Sequence, residues 1–305
     1  MNNQSVATII VTFNPNLDVL ENLIRNIYKK SEKIIVVDNF YKDTSYSDLE
    51  SIVKKYSIIL EKLDKNYGIA KAQNVGLNIS SKFDVGYVLF FDQDSSPDQH
   101  LIENLLKAHQ KLSLDIGFDK IGILGARYLD SRQNNPPPFI KFGFLTLERC
   151  NCESFDSIVE VDYVISSGSL VSMFGVNIIG GMREDLFIDY VDIEWGLRAR
   201  NKGLLNFGVC SALMEHSLGD NPIKFGKKFI PIHSPLRHYY HFRNAILLYK
   251  ESWVPVNWKF IDAYRLVLKF VFYSLFTKNP LSHSYKMILG IYHGIIGKSG
   301  QLSED

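Results

Sequence analysis

Within its first hundred residues the chain repeats one pattern: a short β-branched or aromatic run, a polar stop, then residues with helical apolar spacing. The runs are Ala7 to Thr12, Lys33 to Val37, Ile58 to Leu60 and Tyr87 to Phe91. Between the first two, Leu17, Leu20, Leu23, Ile24 and Ile27 recur at helical spacing behind Asn16, a residue type that caps helix N-termini. Strands separated by helices need crossover connections, and crossovers build a mainly parallel sheet covered by helices. The expected fold class is therefore α/β, a mixed and mainly parallel sheet flanked by helices. In open sheets of this kind ligands sit beyond the carboxyl ends of the strands. Three strands here end in polar residues, Thr12-Phe13-Asn14, Asp38-Asn39 and Asp92-Gln93-Asp94, which suggests a nucleotide cleft. No G-x-G-x-x-G follows the first strand, so a dinucleotide cofactor is disfavoured.

The 305 residues suffice for one large α/β domain with a C-terminal extension, and 46% apolar with 22% charged residues is a globular balance. A net charge of +1 gives no field that selects nucleic acid, so an anionic partner must be held locally. Cys150, Cys152 and Cys210 form no even framework and read as reduced thiols of a reducing compartment, while a lone C-x-C is half a metal site. The N-terminus lacks a basic segment before Val6 to Val11 and reads as a strand instead of a secretory signal. Leu266 to Phe276 and Ile288 to Ile296 fall short of the roughly 20 apolar residues of a membrane span.

Later segments are less regular. Asn134-Asn135-Pro136-Pro137-Pro138 marks a loop, either part of an acceptor groove or plain solvent-facing chain. From Ser234 onward aromatic residues such as Tyr239, Tyr240, Trp253, Trp258, Tyr264 and Tyr273 interleave with Arg243, Arg265 and Lys269. This predicts a helical extension over 234–305 after a catalytic domain of 1–233. Its amphipathic face suits either a lipid interface or packing against the domain or a second subunit, as in a homodimer.

The sharpest chemical signal is Tyr87-Val88-Leu89-Phe90-Phe91-Asp92-Gln93-Asp94, an apolar strand opening into D-x-D. Alternation along a strand lets Asp92 and Asp94 project the same way, and two such carboxylates call for a cation, with Mg²⁺ or Mn²⁺ bridging to a diphosphate. The same tripeptide also occurs as a simple turn or cap. A second signal, Asn66-Tyr67-Gly68-Ile69-Ala70-Lys71-Ala72-Gln73-Asn74-Val75-Gly76, combines small residues that permit close approach with amides that can cap or reach into a cleft.

Together with Phe187-Ile188-Asp189-Tyr190-Val191-Asp192-Ile193-Glu194-Trp195, these segments resemble glycosyltransferase family 2, inverting enzymes of the GT-A fold, over Ala7 to about His216. Within it the last motif and Ser166-Ser167-Gly168-Ser169 look like bacterial rhamnosyltransferases, which use dTDP-L-rhamnose to build surface polysaccharide. The resemblance implies that Thr12 and Asp38 line the nucleoside pocket. Asn14, Asn66, Gly68 and Asn74 become candidate nucleotide-sugar contacts, with Asp92 near ribose and metal, and Asp94 on the metal. His216 matches a late histidine that reaches the metal or diphosphate in some relatives, or is structural. Asp192 maps onto the catalytic base, although Val191 stands where relatives carry Glu. Glu194 has a plainer explanation as an i,i+4 partner of Arg198. Arg243 would meet a donor or acceptor phosphate, or form a helix-capping salt bridge.

The implied partners are a dTDP-sugar, a lipid-linked saccharide acceptor and a membrane surface, with a cytoplasmic protein peripheral on the inner face of the bacterial cell membrane. Alternatives are a UDP-sugar donor or an inactive carbohydrate- or membrane-binding module. A nucleotidyltransferase should carry a Gly-rich triphosphate loop after the first strand, and Thr12-Phe13-Asn14-Pro15-Asn16 is not one.

Overall fold

Strands that are apolar on both sides must be covered on both sides, and the first strands of this chain are of that kind. In the computed structural model, which describes residues 3–40, 46–129, 138–144, 146–215, 220–225 and 228–303, β1 (Val6–Thr12), β2 (Lys33–Asp38), β3 (Ile59–Lys62) and β4 (Tyr87–Asp92) alternate with α1 (Leu17–Ile27), α2 (Tyr46–Lys55) and α3 (Ile69–Ser80). Alternate residues divide between two cores. Ile9, Val11, Ile35, Val37, Val88 and Phe90 face one way, and Val6, Ile10, Ile34, Val36, Leu89 and Phe91 the other. The predicted cap is present: the Asn16 side chain accepts from the amides of Asp18 and Val19.

The chain continues through β5 (Ser96–Pro97), α4 (Leu101–Ile116), β6 (Ile121–Leu129), β7 (Phe139–Phe142), β8 (Leu147–Cys150), β9 (Ile158–Val161), β10 (Ser169–Ser172) and α5 (Met173–Ile179). Next come α6 (Val191–Asn201), β11 (Leu205–Glu215), the pair β12 (Asp220–Phe225) and β13 (Lys228–Ile232), and three helices, α7 (Pro235–Lys250), α8 (Val256–Phe276) and α9 (Pro280–Ile296). Among the described residues nine strands form one sheet in the order β3-β2-β1-β4-β10-β6-β11-β5, with β9 on β11. β3, β2, β1 and β4 run parallel, whereas β10 is antiparallel to both β4 and β6. α1 and α4 cover one face, and α3 and α6 the other. Because β1 lies between β2 and β4, the chain leaves it in one direction and returns on the opposite side, which opens a crevice at the strand ends.

Two expectations change. Cys152 and Cys210 are joined in a disulfide with Cα atoms 5.8 Å apart, and Cys150 alone is free, so the cysteine count says nothing of compartment. The antiparallel pairing of β9 with β11 makes the bond possible by bringing the residues before β9 alongside Cys210, whose amide donates to Ser157 O. Secondly, of the two readings of the C-terminal aromatics, packing against the domain holds for most of those named: Tyr239, Tyr240, Trp258 and Tyr273 are buried, while Tyr264 and Arg265 are exposed. The apolar core containing Trp195 and Val191 runs on into Phe242, Leu248 and Trp258, across position 233. Residues 134–137 of the Pro-rich loop, and His216, lie outside the described residues.

Candidate functional site

Register alone assembles three polar strand ends. Thr12 lies opposite Asp38 on β2, and Val11 lies opposite Asp92 on β4. The Thr12 hydroxyl donates to Asp38 Oδ1 at 3.2 Å, both side chains being buried. Burial raises the Asp38 pKa, opposed by that hydrogen bond and by the charge of Lys62. Asn39 joins the second motif to this edge through its side chain: Nδ2 donates to Asn66 Oδ1 and Oδ1 accepts from Tyr67 N, both at 2.9 Å. Asn66 Oδ1 also accepts from Gly68 N.

The D-x-D is placed differently from the expectation. β4 stops at Asp92, and Asp94 sits in the following turn, closed by Ser95 N donating to Asp92 O, so strand alternation does not set its direction. Asp94 is exposed and Asp92 half-buried. The residue between them, Gln93, laces β4 to β1: its Oε1 accepts from Phe13 N at 2.7 Å and its Nε2 donates to Phe13 O at 3.2 Å. Ser167 supports the same edge by accepting from Asp92 N at 3.1 Å, and Gly168 N donates to Phe90 O. Neither Gln93 nor Ser167 was singled out from sequence, although both stand inside quoted motifs.

The facing wall is the start of α6. Three of the four residues Phe187 to Tyr190 adopt positive φ (Phe187, 66°; Asp189, 64°; Tyr190, 65°), a conformation that costs on the order of 1–3 kcal/mol per non-glycine residue and needs external support. Support comes from α7. Asn244 Nδ2 donates to the carbonyls of Leu186, Ile188 and Asp189 at 2.8–2.9 Å, and Arg237 pairs with Asp189 at 2.8 Å. The Tyr190 hydroxyl donates to Asp262 on α8 at 2.9 Å. From the front, Gly68 (φ 85°) presses on this loop so closely that a Cβ would stand 2.3 Å from Phe187 O.

This frame sets Asp192 in the first turn of α6, where the helix dipole favours an anion. Burial raises its pKa to about 6; the Ile193 amide, 2.8 Å from Oδ1, opposes the shift, and the charges of Asp189 and Asp92 add to it. The influence of Asp92 ties the two walls of the cleft together. Tyr163 shares the neighbourhood: burial, then the charge of Asp192, raises its phenol pKa. A carboxylate that titrates near neutrality beside a polar strand edge can accept a proton from an incoming hydroxyl.

Other predicted residues have structural duties. Asn74 clamps the loop before α6, its amide donating to Met182 O and Glu184 and its oxygen accepting from Met182 N. Asn14, at φ 47°, turns the chain out of β1. Glu194 is buried in a two-point pair with Arg198 at 2.8–2.9 Å. Arg243 requires correction. It is fully buried, its guanidinium donates to the carbonyls of Asp185, Leu186 and Gly300 and to Asn244 Oδ1, and it stacks near Tyr240. Those acceptors use its donors, so it holds the loop from behind and presents no face to a phosphate. Among the described residues no group of three or more His, Cys, Asp or Glu side chains is set to hold a metal.

The family model "Glycosyl transferase family 2" matches residues 7–151, which includes all three strand ends. Over 300 residues, 98% of each chain, the sequence is 34% identical to the dTDP-rhamnosyl transferase RfbF of Shigella flexneri. The chain belongs to glycosyl transferase family 2. As a member of that family it is an enzyme, a glycosyltransferase, and solved structures carry the same fold at low identity. One of Staphylococcus aureus TarS 1-349 in complex with UDP-GlcNAc aligns at TM-score 0.59 and 16% identity, covering 96% of this chain and 81% of that one. The mannosyltransferase PcManGT from Pyrobaculum calidifontis, with GDP-Man and Mn²⁺, aligns at TM-score 0.56 and 14% identity over 97% and 76%. GalNAc-T7 with UDP, GalNAc and Mn²⁺ gives 0.60 and 10%, this chain spanning 56% of that one. The family 2 match stops before α6, so the Asp192 wall lies beyond the matched segment.

Proposed function

We propose that this family 2 enzyme transfers L-rhamnose from dTDP-L-rhamnose to a lipid-linked saccharide in bacterial surface polysaccharide synthesis, with inversion and with Asp192 as base. The observation that carries the mechanism is the placement of the Asp192 carboxylate in the first turn of α6, where burial raises its pKa to about 6 and the charge of Asp92 adds to the shift. The donor assignment draws on the whole-length similarity to a protein named for dTDP-rhamnosyl transfer. In this reading the nucleoside lies along Thr12, Asp38 and the Asn66–Gly68 turn, whose hydrogen bonds are already made within the protein and so need little reorganisation. Asp192 takes the proton of the acceptor hydroxyl as the oxygen forms its bond to the anomeric carbon, and the sugar–diphosphate bond breaks on the opposite face.

Asp92 and Asp94 would hold a divalent cation. Oxygen donors suit Mg²⁺ or Mn²⁺, and one or two carboxylates suffice for Mg²⁺ when substrate phosphates complete the shell. Once bound, the ion would neutralise charge on the leaving diphosphate. His216 is the remaining candidate ligand from the sequence. The acceptor's lipid carrier would place the protein peripherally on the cytoplasmic face of the membrane.

The deciding experiment offers the protein dTDP-rhamnose, UDP-sugars and GDP-sugars with lipid-linked acceptors and follows products by mass. A rhamnosylated product with release of dTDP is expected. Consumption of a UDP-sugar with dTDP-rhamnose untouched removes the donor assignment.

A further inference from the structure

The apolar side chains that α8 leaves in solvent form one stripe. Val256, Phe260, Tyr264, Val267, Val271 and Leu275 follow one another by three or four residues, and each is at least half exposed. The opposite face of the helix carries its buried contacts, Trp258, Ile261, Leu266 and Tyr273. α9 repeats the arrangement with Leu281, Tyr285, Ile288, Tyr292 and Ile295, behind which Met287, Gly290 and Gly294 are buried. Gly290 and Gly294 let α9 lie directly on α7, since a Cβ at Gly290 would stand 2.4 Å from Tyr239 O. α9 also packs on α8, so the two exposed apolar stripes lie on neighbouring helices. Contiguous exposed patches of this extent mark interaction sites.

Charge selects the occupant. Between Val256 and Lys298 there are six cations, Lys259, Arg265, Lys269, Lys278, Lys286 and Lys298. The one acid in that span, Asp262, is buried and accepts from Tyr190 and Tyr249. Arg265, Lys278 and Lys298 are exposed. A second copy docking by two-fold symmetry would set this acid-free patch against itself, cations facing cations. An anionic bilayer meets both requirements, accepting the apolar stripe at the acyl boundary and the cations at its phosphates. No helix among the described residues is long and apolar enough to cross a membrane, so the pair would lie in the interface plane.

We infer that the outer face of α8 and α9 docks the enzyme onto an anionic lipid surface. The inference deepens the lipid-linked acceptor reading by naming the surface that meets the membrane, and it rests on that reading for its purpose alone. Because Asp262 on α8 accepts from Tyr190, the docked layer stands two residues from Asp192.

The test is flotation of the full chain with phosphatidylcholine vesicles, with and without phosphatidylglycerol. Binding is expected to rise about tenfold or more with phosphatidylglycerol and to fall steeply in high salt. L275E/I288E should lose flotation about tenfold or more while its melting temperature and turnover on a soluble acceptor analogue stay unchanged. K278E/K298E should lose only the phosphatidylglycerol-dependent part, and it decides the matter should the apolar variant misfold. Flotation indifferent to the charge variant overturns the inference. So does a wild-type dimer that ignores vesicles and is split by L275E/I288E, which would make the face a self-interface. A chain that floats yet transfers no sugar removes the proposed function and leaves the docking face standing, and one that transfers without floating does the reverse.

Discussion

In the proposed reaction the base must be ionised at working pH yet more basic than an ordinary carboxylate, and Asp192, raised by burial and two acidic neighbours, would meet both demands. Turnover should therefore fall as pH drops through about 6, by about tenfold per unit below it, measured as the acid limb of the kcat profile. Stability carries the opposite sign. A folded-state pKa above the ordinary value means that the fold favours the protonated form; the contribution of Asp192 is fully present below about 4 and lost as pH rises through about 6. Asp192→Asn should accordingly lower kcat by about 10²–10⁴ while melting no lower than the wild type at pH 8, a combination that a merely structural residue would not give. Asp94→Ala, on an exposed turn, should lower turnover by about 10²–10³ and raise the Mn²⁺ concentration needed for half-maximal rate, with little change in melting temperature.

Elements were legible where local pattern and tertiary demand agree. β1, β2, β3 and β4 lie within two residues of the runs read from sequence, because each apolar run is stopped by polar residues at the sheet edge. Asp38 and Asp92 came to the cleft with them. Asp94 was mispositioned, since a periodicity of two holds only while the strand lasts. The support of the α6 entrance was not legible. Positive φ at Phe187, Asp189 and Tyr190 depends on donors from Asn244, more than fifty residues away, and Arg243 looked like a phosphate ligand because its backbone acceptors are invisible in a sequence. Asn244→Ala should cost about 1–3 kcal/mol in denaturant unfolding by leaving buried carbonyls unpaired. Gly68→Ala, forced against Phe187 O at positive φ, should cost about 1–3 kcal/mol and slow turnover by moving the loop that carries Asp192.

At the scale of the molecule, the cysteine pairing and the inward packing of most C-terminal aromatics escape a sequence reading for one reason: pairing between distant segments decides which side chains meet. β9 on β11 joins Cys152 to Cys210, and α7 under the α6 entrance takes Tyr239 and Tyr240 into the core. The same architecture governs how this region can be exchanged. Arg243 and Asn244 leave the loop at Asp185 to Asp189, and after two further helices the chain comes back to it, where Gly300 donates its amide to Asp185 O and accepts from Arg243. The last three helices therefore form a closed clip around the segment that leads into Asp192. A chimera that grafts a foreign tail at position 233 would take away the clasp along with the exposed apolar layer of α8 and α9, so a working transplant has to move residues 235–302 as one block together with a matched 185–189 loop.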